Sequence, residues 1–75
     1  MSTETRILDI LARELEIPLE ELEAEEEISM EGLPEWDSLR HTQILLVLEK
    51  EFNQSFNAAE AGQATSLDAL LALIG

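Results

Sequence analysis

Apolar side chains recur at helical spacing along most of this chain. Ile7, Leu8, Leu11 and Leu15 follow one another at intervals of one, three and four residues and so share one face of a helix. Ser2, Thr3 and Thr5 offer hydroxyls for its N-cap, and Glu4 and Asp9 place negative charge near its start. A first helix is therefore predicted over about residues 4–15. Pro18 should end it and open a short turn over 19–22, because proline disfavours helix in the residue before it and suits a first helical position. Ile17 and Leu22 are candidate anchors there. From Glu20 to Glu27 six of eight residues are glutamate, and nothing periodic follows until position 38, which predicts a long loop. Ile28, Met30 and Leu33 are expected to pin that loop to the helices, with turn geometry supplied at Glu31-Gly32-Leu33-Pro34. A loop this long in so short a chain is functional or mobile.

A second main helix is predicted from Asp37 or Ser38 to Phe52. Its centre, Ile44-Leu45-Leu46-Val47-Leu48, is apolar around most of its circumference and is expected to be buried on several sides. Asn53 and Asn57 read as turn residues, and residues 58–61 as a short helix closed by Gly62. Thr65-Ser66-Leu67-Asp68 has the form of a capping box ahead of Leu67, Leu70, Leu71 and Ile74, which predicts a final helix. The expected fold class is all-α: a single domain over residues 1–75, built as a small bundle of three main helices plus one short helix.

Composition sharpens this picture in three places. With 45% hydrophobic residues but only Trp36, Phe52 and Phe56 as aromatics, the core is aliphatic, which suits helix against helix. Cysteine is absent, so the fold uses neither disulfides nor thiolate ligands, and any thioester chemistry must draw its sulfur from a prosthetic group. Four basic against seventeen acidic residues give a formal net charge of −13, which argues against nucleic acid and anionic membrane surfaces as partners. Partners with basic faces are expected instead. With no signal-peptide pattern and no apolar run long enough to cross a bilayer, the expectation is a cytoplasmic monomer.

The candidate chemistry lies at Asp37-Ser38-Leu39. Asp37 is suited to cap the second main helix, which leaves the Ser38 hydroxyl in the first turn, where the helix dipole favours an anion such as a phosphodiester. Glu35-Trp36-Asp37-Ser38-Leu39, followed by Ile44 to Leu48 and Glu49-Lys50-Glu51-Phe52, resembles the acyl and peptidyl carrier proteins, and the resemblance covers essentially the whole chain. It implies an acyl-carrier-protein-like bundle in which Ser38 carries a 4′-phosphopantetheine arm. It further implies a discrete carrier, not an enzyme, that holds an acyl or aminoacyl group as a thioester. The partners implied are a phosphopantetheinyl transferase, a loading ligase or transferase for the acyl or aminoacyl group, and downstream biosynthetic enzymes. Asp37 would also help the transferase hold its metal, and Leu39 would belong to the docking surface.

Two features set this chain apart from the fatty-acid type. A tryptophan just before the serine, here Trp36, is more typical of aminoacyl, D-alanyl and specialised carriers; it is expected to pack with partial exposure and to meet partners. Arg40-His41-Thr42-Gln43 stands where the fatty-acid pattern is acidic, so Arg40 joins the expected docking residues. His41, the sole histidine, is expected at the surface or facing a partner, since no second member of a catalytic dyad is evident. No constellation suggests a metal site, and the acidic run lacks the order of oxygens and the central glycine of a calcium loop. Aliphatic side chains from Ile44 to Leu48, facing Leu70 and Leu71, could part to shelter a short acyl chain. The competing reading is an acidic helical protein-interaction module without a prosthetic group, in which Ser38 merely starts a helix. The nature of the cargo stays open among fatty acyl, amino acid, D-alanyl, glyceryl and polyketide units.

Overall fold

Ser2 opens the first helix through its side chain, which accepts a hydrogen bond from the Thr5 amide (3.1 Å). In the computed structural model, which describes residues 2–74, that helix is α1, Thr3–Leu15. It ends on Glu16, a non-glycine residue in the left-handed region (φ 58°), with the Ile17 amide donating back to the Ala12 carbonyl (3.0 Å). Pro18 then starts α2, Leu19–Glu23, so the predicted turn is a full short helix. The first half of the glutamate run lies in that helix, and the loop proper is shorter than expected, covering 24–37. A local run of glutamates is compatible with helix because glutamate is a good helix former, and Leu22 is fully buried to hold the segment down.

The second main helix is α3, Ser38–Phe52, capped by Asp37 at its start and closed by Asn53 at φ 52°, a residue type that tolerates the left-handed region. Next comes α4, Ala58–Gln63, where Asn57 Oδ1 accepts from the Ala59 and Glu60 amides (2.9 and 3.3 Å). Gly62 does not close α4 as expected. It lies inside the helix without a positive φ, and Ala64 follows the last turn. The last helix is α5, Leu67–Ile74. Its cap is Ser66, whose Oγ accepts from the Ala69 amide (3.1 Å), so the Thr65-to-Asp68 capping box is replaced by a cap one residue later. The described residues thus form five helices, three main and two short, an all-α bundle as expected but with one more short helix.

The core gathers around α1, which packs on α2, α3 and α5. Ile7, Leu11 and Leu15 of α1 are buried with Leu22, Ile44, Leu48 and Leu70 in one cluster that also takes in Leu33 and Trp36 of the loop. The apolar belt of α3 is not buried throughout. Ile44 and Leu48 are fully buried, Leu45 and Val47 are half-buried, and Leu46 is 58% exposed.

The loop is tied down at intervals. Met30 N–H donates to Thr65 O and Leu67 N–H to Ile28 O, both at 2.9 Å, which forms a single bridge between Ser29 and Ser66 and brings the loop against the start of α5. Buried Ser29 donates to Glu27 Oε2 (2.6 Å) and accepts from the Gly32 amide (3.1 Å). A Cβ on Gly32 would stand 2.7 Å from the Glu27 carbonyl oxygen, so close approach of two backbone segments explains the glycine there. Ile28, Met30 and Leu33 pack on the core as expected.

Charge opposes this packing. Ion pairs engage Arg6 with Glu51 (3.0 Å), Arg13 with Asp9 (3.9 Å) and Arg40 with Glu16 (3.1 Å), against seventeen acidic residues. Raising ionic strength from about 0.01 M to about 0.15 M shortens the screening length from about 30 Å to about 8 Å. The thermal midpoint is expected to rise with it, by on the order of 4–8 °C for each 1 kcal/mol of repulsion relieved. Calorimetry at the two salt concentrations checks this; an unchanged midpoint would show that self-repulsion is not significant.

Candidate functional site around Ser38

Three local devices set the turn that carries Ser38. Trp36 N–H donates to the Leu33 carbonyl (3.1 Å) and ends the loop in a turn. Asp37 Oδ1 accepts from the Arg40 amide (2.9 Å), and the Asp37 carbonyl accepts from the His41 amide (2.8 Å), so one residue supplies both the side-chain cap and the first helical acceptor. Ser38 therefore occupies the first helical position of α3, exposed, with its carbonyl accepting from the Thr42 hydroxyl (3.1 Å). An anion on its oxygen would sit at the positive end of a helix of 15 residues.

The neighbours of Ser38 fall into two sets. Leu39 is 69% exposed, and it shares one face of α3 with exposed Thr42, Gln43, Leu46 and Lys50. This stripe carries no carboxylate, although the protein bears a net charge of −13.

Trp36, expected to be partly exposed and open to partners, is buried at 2% exposure, and its indole offers no surface to a partner. His41, expected at the surface, is also buried, at 6%. The two account for each other. Trp36 Nε1–H donates to His41 Nδ1 (3.1 Å), and the opposite ring nitrogen of His41 lies 2.9 Å from the Ala61 carbonyl oxygen on α4. Because indole can only donate, Nδ1 is the acceptor and Nε2 carries the hydrogen that Ala61 O accepts. With both ring nitrogens engaged by buried partners, His41 is built into the fold. The sequence held a signal for this pair: a lone buried tryptophan needs an acceptor for its N–H, and His41 lies just over one helical turn beyond it.

Arg40 is more engaged than a free docking residue. Its guanidinium donates to the Glu14 carbonyl and to Glu16 Oε2 (3.1 Å), which places a positive charge over the C-terminal carbonyls of α1 and steadies the left-handed Glu16. Its side chain is 33% exposed, so part of it still borders the stripe. No group of three or more potential metal ligands occurs among the described residues, and none of their helices is long and apolar enough to cross a membrane.

A family model described as the phosphopantetheine attachment site matches residues 5–74. The chain belongs to that family. Members carry 4′-phosphopantetheine, and the residues around Ser38 fit the group: an exposed hydroxyl, a helix start that favours its phosphodiester, and a face without carboxylates running away from it. No curated protein matches the chain. It is a phosphopantetheine carrier, and the family's carrier domains are generally not themselves catalytic.

Proposed function

We propose that this chain is a discrete carrier that holds an acyl or aminoacyl group as a thioester on a phosphopantetheine arm borne by Ser38. The observation that supports it most is the Ser38 hydroxyl, exposed at the first position of α3 behind the capping Asp37, in a chain whose match to the family spans the turn. During attachment the Ser38 oxygen attacks the β-phosphorus of coenzyme A. The new oxygen–phosphorus bond forms as the bond to the leaving 3′,5′-ADP breaks, and the hydroxyl proton passes to a base of the transferase. The metal and positioning groups for that step belong to the transferase, with Asp37 beside Ser38 available to help hold the metal. Once attached, the terminal thiol of the arm is the sulfur that the cysteine-free chain lacks.

Leu39 and Leu46 form the docking surface, with Arg40 at its edge. A face with exposed leucines and no carboxylate suits a loading ligase and later biosynthetic enzymes whose docking sites are apolar and not strongly basic. The reaction with coenzyme A and a broad-specificity phosphopantetheinyl transferase tests the assignment. Intact-mass spectrometry should show one phosphopantetheinyl group on the wild type and none on Ser38→Ala. A modified Ser38→Ala protein would move the site elsewhere, and an unmodified wild type would favour the acidic interaction module.

A further inference from the structure

One imidazole holds the serine turn from two sides. Trp36 lies two residues before Ser38 and His41 three residues after it, so their hydrogen bond (3.1 Å) closes over the turn that presents the hydroxyl. Through Nε2–H the same ring reaches Ala61 O (2.9 Å), twenty residues further along the chain. All three residues are buried, at 2%, 6% and 5% exposure. A polar chain in an otherwise aliphatic core costs desolvation that an apolar side chain of similar size would avoid, so its directionality needs a reason. The helix it reaches is weak. α4 has six residues, too few to be stable alone, and beyond its Asn57 cap it packs on α5.

We propose that His41 is a positioning residue for Ser38, coupling α4 to the serine turn through the hydrogen bonds of its two ring nitrogens. The inference rests on Ser38 being the attachment point. The indole N–H can be accepted only by a bare Nδ1, and that leaves the hydrogen on Nε2, where it faces Ala61 O. The Ala61 carbonyl, which can only accept, selects the same tautomer from the other side, so one form of the ring satisfies both partners. Without the indole donor the ring keeps its bond to Ala61 O, and the serine turn is released from the ring and from the helix behind it. The Ser38 hydroxyl then loses its single orientation relative to α4, while the exposed face of α3 is unchanged.

The test uses Trp36→Phe, which keeps an aromatic ring in the core and removes the donor. In the wild type, nitrogen NMR of the His41 ring should show one tautomer with hydrogen on Nε2 and a hydrogen-bonded Nδ1, and Trp36→Phe should keep the tautomer while its Nδ1 signal moves to that of an unbonded nitrogen. Hydrogen exchange should then speed up at the amides of residues 33 and 36, while the Ala61 and Ala64 amides of the α4 end and amides in the middle of α1 stay protected. The kcat for modification by the transferase should fall about fivefold, with the KM for the carrier unchanged, because misplacing a reacting group without altering docking acts on the chemical step. Unaltered exchange at residues 33 and 36, or an unaltered kcat in a folded Trp36→Phe protein, would overturn the proposal. Should Trp36→Phe fail to fold, two substitutions at His41 give the second reading: in His41→Gln the amide can donate to Ala61 O and its oxygen can accept from the indole, so kcat should stay near the wild-type value, whereas His41→Leu keeps neither bond and kcat should fall. An unchanged kcat in His41→Leu is equally fatal. Failure of the Ser38 assignment is distinguishable, since the wild type would then gain no mass while the tautomer and exchange results would stand.

Discussion

Trp36→Ala should lower the unfolding free energy by about 3–5 kcal/mol. Trp36 is 2% exposed, so truncation leaves a cavity beside Leu33 and the α3 core and strips His41 Nδ1 of its donor. A chain of 75 residues has a total stability of roughly 4–11 kcal/mol, so this substitution alone brings the protein close to unfolding. Denaturant titration of wild type and variant, followed by helical circular dichroism, measures it. A loss under about 1 kcal/mol would place the ring outside the load of the core, in the range of ordinary surface substitutions.

The second large effect falls on partners and spares the fold. Leu39→Gln and Leu46→Gln replace exposed leucines by a good helix former, so each should change stability by no more than about 0.5 kcal/mol. If these side chains anchor the partner, the double variant should lower kcat/KM for loading by its ligase at least about tenfold, the scale expected for anchors at the centre of an interface. Association through a stripe without carboxylates should also depend little on salt, whereas docking through the acids of α2 and the loop would weaken steeply as salt rises. Equal loading by wild type and the double variant would remove the stripe from the docking surface. Arg40→Asp is a poorer probe of partner choice than its place beside Leu39 suggests, because it also strips the C-terminus of α1 of its cation and puts a carboxylate beside Glu16.

Helix positions were legible in the sequence wherever a local device sets them. Ser2, Asp37 and Asn57 each lie within three residues of the amides they cap, and the leucine spacing of α1 and α5 is a local pattern. The serine turn was legible for the same reason, since Asp37 and Ser38 act on their own helix. What escaped are contacts made across the fold. Arg40 meets Glu14 and Glu16 from a distance of 26 and 24 residues, and His41 meets Ala61 from 20, and no periodicity encodes such pairs. Side chains read as facing outward because they are polar turned inward once a partner waited there. Leu46 made the opposite error: hydropathy placed it inside, yet α1, α2 and α5 leave one side of α3 uncovered.

Gly62 has open space where a Cβ would stand and a backbone that alanine adopts freely, so Gly62→Ala would strengthen α4 by roughly 0.5–1 kcal/mol. The native glycine leaves α4 with a smaller local opening free energy than the helices it borders. Opening there exposes little of the aliphatic core, since Ala61 is the buried residue of that helix. A protease sampling the native state should therefore cut within 58–63 before it cuts α1 or α3, and the molecule can lend out this one segment while the rest remains folded.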